Sequence, residues 1–327
     1  SLMTLGVLAL FVLMAYGQEK KFALYSVAFY NMENLFDTIH DEGKNDYEYL
    51  PNGTNQWNTM KYKAKLKNMS EILSLLSTDK LPMGPAIIGV SEIENYRVLE
   101  DILKQPVLAD RGYQYVHYEG ADQRGVDCAF FYNPKLFELT NSKLVPYVYI
   151  NDTVHKTRGF LIASGNIAGE KMHFIVNHWP SRAAASPARE RAGEQVRAIK
   201  DSLLREDSAA KIVIMGDMND DPMDKSMAVA LGAKRKPADV GPTDLYNPWW
   251  DTLKKGYGTL MYKGKWNLFD QIVFTGNLLG TDRSTLKFYK HEIFRRDFMF
   301  QKEGKYKGYP KRTQAGGVWL NGYSDHL

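Results

Sequence analysis

Ile212-Val213-Ile214-Met215-Gly216-Asp217-Met218-Asn219-Asp220 decides how the rest of this chain is read. Four apolar residues without a polar break describe a strand covered on both faces. The run ends in Gly-Asp-x-Asn, which sets a carboxylate and an amide side by side at the rim of a sheet. Asp217 there can orient and deprotonate a water, and Asn219 can hold a nucleophile or a phosphate oxygen without adding negative charge. Asp220, Asp221 and Pro222 also support a plain Asx-rich turn, and one turn can be both.

Working outward, other short apolar runs deliver polar residues in the same way. Phe22 to Tyr30 alternates as a strand and leads into Asn31-Met32-Glu33. Asn31 and Glu33 fall on one side of an extended segment, where an amide and a carboxylate suit a hard cation. Pro85 to Val90 is a buried strand closed by Ser91-Glu92. A carboxylate at that depth needs a cation or strong hydrogen bonds to stay charged, unless Glu92 instead opens a helix. Phe174-Ile175-Val176 delivers Asn177-His178, with Arg182 in the loop beyond. An imidazole beside a phosphate can donate a hydrogen bond or a proton. Asp270 and Ser324-Asp325-His326 complete the set. Asp270 could fix the tautomer of His326 while Asp325 stays near a cation, or the pair could be purely structural.

The remaining pattern is mostly strands with interposed helices. Helical spacing runs from Met60 to Leu76, from Val98 to Leu108 and from Pro187 to Arg205. Strands are expected at Gln114 to Tyr118, Asp127 to Tyr132, Met172 to Asn177, Lys211 to Met215 and Gln271 to Phe274. Leu144 to Ile150 and Gly159 to Asn166 suggest a hairpin, and residues 40 to 60 a polar surface loop. No strict β-α-β repeat and no Gly/Ser linker divides the chain. The pattern predicts an α/β (α+β) domain of two packed, mostly antiparallel sheets with helices outside.

The 327 residues, 44% hydrophobic, suffice for a packed core. The single cysteine, Cys128, excludes an internal disulfide, argues against a zinc-thiolate site and reads as a buried core thiol. Net charge is +4, and ten Lys/Arg crowd the stretch from Arg283 to Arg312, either as a solvated face or as a phosphate-backbone patch. Leu5 to Tyr16 is apolar, too short to span a bilayer, and ends in small residues before Gln18-Glu19-Lys20-Lys21. It reads as a partial secretory signal peptide, residues 1–17, so export to a periplasm or the medium is expected, with no stable membrane span afterwards.

Together Asn31-x-Glu33, Ser91-Glu92, Arg124-Gly125-Val126-Asp127, Asn177-His178, Gly216-Asp217-x-Asn219 and Ser324-Asp325-His326 resemble the endonuclease/exonuclease/phosphatase superfamily. The resemblance runs from about Ser26 to Leu327. It implies a four-layered α/β sandwich across residues 22–327 and a divalent-metal phosphoesterase using Mg²⁺, with Mn²⁺ or Ca²⁺ as alternatives. By the same resemblance Glu92 is the principal metal ligand, helped by Asn31 and Asp325, with Glu33 outside them. Asp217 activates water, Asn219 positions it, and His326 contacts the phosphate with Asp270 as its partner. His178 resembles a second histidine of the deoxyribonuclease and sphingomyelinase branches. Asn177, Arg182 and Arg124 are the expected substrate contacts. Family members usually carry one more strand after Ser-Asp-His, so a domain shortened at its C-terminal end is expected.

The expected activity is an exported nuclease, acting as a monomer on nucleic acid. The basic stretch and the interleaved aromatic and basic residues of Tyr257 to Trp266 favour it, although those aromatics also fit a hairpin or the core. A phosphatase or phospholipase acting on a lipid or inositol phosphate is the alternative, for which Arg182 and Arg189 would supply charge. A catalytically silent binding module is the third reading, opposed by the retention of Glu92, Asp217, Asn219, Asp270 and His326.

Overall fold

The computed structural model describes residues 22–327 except 151 and 153. The apolar run at 1–17 lies outside the described residues. Two sheets face each other. One holds β1 (Val27–Leu35), β2 (Ile87–Ile93), β4 (Asp127–Tyr132) and β3 (Gln114–His117), in the order β1-β2-β4-β3. The other holds β5 (Glu138–Val145), β6 (Phe160–Ile167), β7 (Glu170–His178), β8 (Lys211–Asp217), β13 (Asp270–Thr275), β10 (Leu245–Tyr246) and β9 (Ala233–Lys234), in that order. Only β1–β2, β7–β8 and β9–β10 pair in parallel within these sheets. The rest are antiparallel, as hairpin-like spacing requires.

Three apolar layers hold the sheets and helices together. Between the sheets lie Ile87, Cys128, Phe130, Leu161, Phe174, Val213, Met215 and Phe274. The outer face of the first sheet packs on α1 (Thr59–Ser74) and α2 (Tyr96–Leu103) through Leu66, Met69, Ile72, Val98 and Ile102. A third helix, α3 (Pro106–Ala109), is a single turn. The outer face of the second sheet packs on α4 (Ser186–Glu206) through Ala192, Val196 and Leu203. The result is the four-layered sandwich, helices outside.

The decisive run of β8 shows why it carries no polar break. Val213 and Met215 point between the sheets, while Ile212 and Ile214 point at α4. Burying four such side chains removes on the order of 6–12 kcal/mol of apolar exposure from water. Gly89 in β2 lets the sheets close: a Cβ there would stand 2.6 Å from Met215 Sδ.

The helices begin where their caps place them. Asn58 accepts from Lys61 N at 3.1 Å, and Asn95 accepts from Arg97 N at 2.9 Å. Three expectations need correction. The helix expected from Val98 to Leu108 breaks at Lys104, before Pro106 starts the next turn. The first strand of the β5–β6 hairpin is Glu138–Val145, not Leu144 to Ile150. Its face is largely exposed, so it lacks an apolar signal, while Tyr147 leaves the sheet to donate to Ala188 O. Residues 40 to 60 are not a bare loop. Trp57 is fully buried and donates to Phe36 O, and Tyr49 stacks on Phe36 at 4.1 Å.

Further short elements are α5 (Trp250–Lys254), the hairpin β11 (Leu260–Tyr262) and β12 (Lys265–Asn267), and the hairpin β14 (Gln314–Ala315) and β15 (Val318–Trp319). No described helix is long and apolar enough to cross a membrane.

Candidate active site

The register of the sheets assembles the site. Asp217 closes β8, with His178 beside it on parallel β7 and Asp270 beside it on antiparallel β13. Neighbouring side chains in register share a face, so the three point the same way. Gly216 makes this possible, because a Cβ there would meet Asn177 O at 2.2 Å. From the other sheet, Asn31 on β1 pairs with Ser91 on β2, and Glu92 follows.

Four non-glycine residues around the centre hold positive φ: Glu33 at 45°, Asn34 at 53°, Glu92 at 59° and Asn219 at 52°. This backbone costs free energy and is retained where side chains must be aimed. At Glu92 it turns the carboxylate toward the second sheet. Asn31 Nδ2 donates to Glu92 Oε1 at 3.3 Å and to Asp217 Oδ2 at 3.0 Å. Asn34 N donates to Glu92 Oε2 at 3.0 Å. His178 Nε2 lies 3.7 Å from both Glu92 Oε1 and Asp217 Oδ2. His326 Nδ1 is 2.7 Å from Asp270 Oδ2, and its Nε2 is 3.8 Å from Asp217 Oδ2.

Burial sets the electrostatics. The Asp217 carboxyl is pushed up to about 7 by desolvation, opposed by His326 and reinforced by Asp270. Burial works against charge on His326, but Asp270 and Asp217 outweigh it and hold the imidazole well above its ordinary range. His178 moves the other way. Burial, then the cations Arg158, Arg124 and His326, keep it well below its ordinary range and therefore neutral near pH 7.

The donors suit a divalent cation. Glu92, His178 and Asp217 each offer an atom within 4.8 Å of the others. Two carboxylate oxygens crowd one point, a repulsive arrangement that a hard cation relieves. Asn31, expected as a helper ligand, stands between the two carboxylates. Its Oδ1 accepts from Glu33 N at 2.8 Å, which turns the amide nitrogen toward the carboxylates. In this arrangement it clamps Glu92 to Asp217.

The other expected residues fall into two groups. Asp325 stands at the mouth, its Oδ1 3.9 Å from His326 Nε2 and its Oδ2 2.5 Å from Arg312. Asn219 turns back under Asp217, its N donating to Asp217 Oδ1 at 2.9 Å and its amide to Trp179 O at 3.0 Å. Arg124 is half exposed at the rim and only 3.5 Å from Asp122. Three residues lie outside the cluster. Asn177 is fully buried and bonds Ile175 O, Met215 O and Trp179 Nε1, so its amide is spent inside the sheet. Arg182 donates to Asn219 O and Asp224 and stacks over Phe269, so its charge is already shared among acids. These contacts hold Asn177 inside the sheet and Arg182 against the acids of the Asp217–Asp224 turn. Glu33 accepts from Arg312 at 3.0 Å and from Thr313 N at 2.6 Å, behind the centre.

Sequence reading missed Lys65, Arg312 and Arg158. Lys65 is fully buried and donates to Thr313 Oγ1 at 2.5 Å and Tyr323 O at 2.6 Å, with Glu33 at 3.9 Å. Its signal was available. Tyr62, Lys65, Leu66 and Met69 share one helical face, so a charge interrupts an apolar stripe. Arg158 is buried, bonded to Asp122 at 2.9 Å and to the same Trp179 O that holds Asn219, at 2.8 Å.

The profile of the Endonuclease/Exonuclease/phosphatase family matches residues 26–327. The chain belongs to this family. Members of the endonuclease/exonuclease/phosphatase family are phosphoester-hydrolysing enzymes that typically use a divalent metal, so the chain is a hydrolase acting on phosphate esters. No curated protein matches the sequence. Among solved structures, D. rerio TDP2 humanized by 14 mutations aligns with a TM-score of 0.50 and 15% identity, over 77% of this chain and 83% of that one. ANGEL2, described as a 2',3'-cyclic phosphatase, aligns at 0.49 and 11%, over 65% and 74%. The human Nocturnin catalytic domain aligns at 0.43 and 17%, over 58% and 69%. The likeness to TDP2, at 15% identity, is one of fold alone.

Proposed function

We propose that this chain is an exported, divalent-metal-dependent phosphodiesterase that hydrolyses nucleic acid as a monomer. The observation that carries the reading is Asp217 standing between neutral His178, the Asp270–His326 pair and Glu92. Glu92 would hold the cation, with Asn31 and Asp325 beside it, Mg²⁺ in this reading with Mn²⁺ or Ca²⁺ as alternatives. Such a cation, when bound, neutralises charge on a phosphoryl oxygen.

The chain's own groups do the rest. Asp217 accepts a proton from a water aligned with the phosphorus as that oxygen bonds to phosphorus and the opposite ester P–O bond breaks, the leaving oxygen taking up a proton from solvent. Asn219, fixed by Trp179 O, keeps that water in line. His326, charged and backed by Asp270, donates to an anionic phosphoryl oxygen, and neutral His178 donates a second hydrogen bond. Asp325, steered by Arg312, faces the cation side. Arg124 at the rim meets the incoming phosphate. The net charge of +4 and the ten Lys/Arg from Arg283 to Arg312 support a polyanionic substrate.

The test is hydrolysis of plasmid DNA and of bis(p-nitrophenyl) phosphate with Mg²⁺ and with EDTA. Metal-dependent cleavage of both supports the reading. Cleavage of the small ester alone moves it to another phosphate ester, and cleavage of neither removes the catalytic roles. For export, residues 1–21 fused to a reporter active only outside the cytoplasm would give signal; a silent fusion removes that part. Elution at monomer size in size-exclusion chromatography checks the oligomeric state.

A further inference from the structure

The charge of this protein is not spread evenly among ion pairs. Of the Lys and Arg from Lys263 to Lys311, among the described residues, only Lys290 lies in a salt bridge, with Glu292 at 2.7 Å. Elsewhere buried and half-buried cations such as Arg97, Arg158, Arg189 and Lys211 are matched to acids. Several of the unmatched cations share one place. The tip of the β11–β12 hairpin touches the segment from Phe294 to Tyr309, where Tyr309 accepts the Gly264 N–H at 2.6 Å. Arg295 lies over the Trp266 and Phe300 rings at 4.9 and 4.4 Å, Lys263 over Tyr262 at 5.3 Å, and Lys305 over Tyr306 at 5.5 Å. Tyr262 and Tyr306 are 62% and 52% exposed, so their outer faces are open to a planar group. Asp297 and Glu303, the acids of this segment, pair with none of these cations.

The hairpin is rooted in the catalytic centre. Leu260 bridges His326, Leu327 N donates to Thr259 O, and Thr259 Oγ1 accepts from Asp270 N. Lys263 lies three steps along an extended strand from Leu260, which sets the tip about 10 Å from the root. A strand held at His326 by its scissile phosphate therefore reaches the tip within a few nucleotides.

We infer that the β11–β12 hairpin and the facing segment from Phe294 to Tyr309 form a track for single-stranded nucleic acid leading away from His326, with Tyr262 and Tyr306 as stacking platforms and Lys263, Lys265, Arg295 and Lys305 as phosphate contacts. Unpaired cations alternating with open aromatic faces are what a strand with exposed bases requires. A duplex hides its base faces and would use only the charges. The inference rests on the nucleic-acid reading of the site, and its test is kept separate by measuring binding without hydrolysis.

The experiment is fluorescence anisotropy of the full chain with a short labelled oligodeoxythymidine in EDTA, over a series of salt concentrations. Replacing Lys263 and Lys305 together by Ser lowers the slope of log affinity against log salt by about 1.4, at about 0.7 for each phosphate contact. Tyr262→Ala weakens binding at least about fivefold. Lys135→Ser, an exposed cation between β4 and β5, leaves binding unchanged. Unchanged binding in the hairpin variants overturns the inference, even if DNA is cleaved. So does absence of binding by the wild type, or tighter binding to phosphatidylserine vesicles than to the oligonucleotide. Weakened binding in a protein that cleaves no nucleic acid leaves the track standing and removes the substrate reading instead.

Discussion

The amide of Asn31 donates to the carboxylate of Asp217 across 3.0 Å, although 186 residues separate them. This one contact joins the metal side of the site to the water side, and the first sheet to the second. Its partner bond to Glu92 makes Asn31 the brace between buried Asp217 and the partly buried Glu92.

Removing that brace leaves the carboxylates facing each other. Asn31→Ala is expected to lower kcat and raise the metal concentration for half-maximal activity, each by about 10- to 100-fold. A metal titration of bis(p-nitrophenyl) phosphate hydrolysis reads both. Wild-type metal dependence in this variant would show that the brace is dispensable.

Asp217 and the Asp270–His326 pair carry the proton and charge work. Asp217→Ala and His326→Ala each lower kcat by about 10²- to 10⁴-fold with an unchanged circular-dichroism spectrum. Asp270→Asn keeps the shape but removes the charge behind His326, so it falls between wild type and His326→Ala. Near-normal turnover in Asp217→Ala reassigns the base.

Glu92→Gln removes one of two charges offered to a cation. It raises the metal requirement while EDTA abolishes activity in both proteins. The wild type also gains stability with metal, about 2.7 kcal/mol at a hundredfold excess over Kd. Glu92→Gln gains less at the same concentration. Thermal unfolding with and without Mg²⁺ measures this apart from turnover, and an equal gain would exclude Glu92 as a ligand.

Lys65→Met keeps the length of the side chain but strands Glu33, Thr313 and Tyr323 O. A loss of about 3–5 kcal/mol in urea unfolding is expected. Turnover falls as well, because the segment from Thr313 to Tyr323 leads directly into Asp325 and His326. A loss below about 1 kcal/mol would mean that water satisfies these groups instead.

Cys128 is buried between the sheets, and burial pushes its thiol well above the ordinary range. It should resist alkylation by iodoacetamide at pH 8 in the folded protein and react fully in denaturant. Because it is the only cysteine, mass spectrometry reads the outcome without ambiguity.

What the sequence disclosed follows from local physics. The run 212–215 is apolar because β8 is covered on both faces, and Asp217 is visible because it ends that run. Glu92, His178 and Asp270 are visible for the same reason, each at or next to a strand end, whereas Asn31 lies within β1. What stayed hidden depends on partners distant in the chain. That Asn177 is consumed by Met215 O, and Arg182 by Asp224, cannot be inferred from either neighbourhood. Strand β5 is hard to place from sequence because its exposed positions carry Glu138, Thr140, Asn141 and Lys143, leaving only a weak apolar signal.

The clasp between Asn31 and the residues around His326 has a consequence for how activity is gained. Ser324 donates to Asn31 O, which ties the segment carrying His326 to β1. Neither the Val27–Tyr132 portion nor the Phe160–His326 portion owns a complete set of reacting groups. Mixed as separate polypeptides, the two halves would be inert alone and would regain cleavage only on reassembly, so catalysis doubles as a reporter of whole-domain assembly.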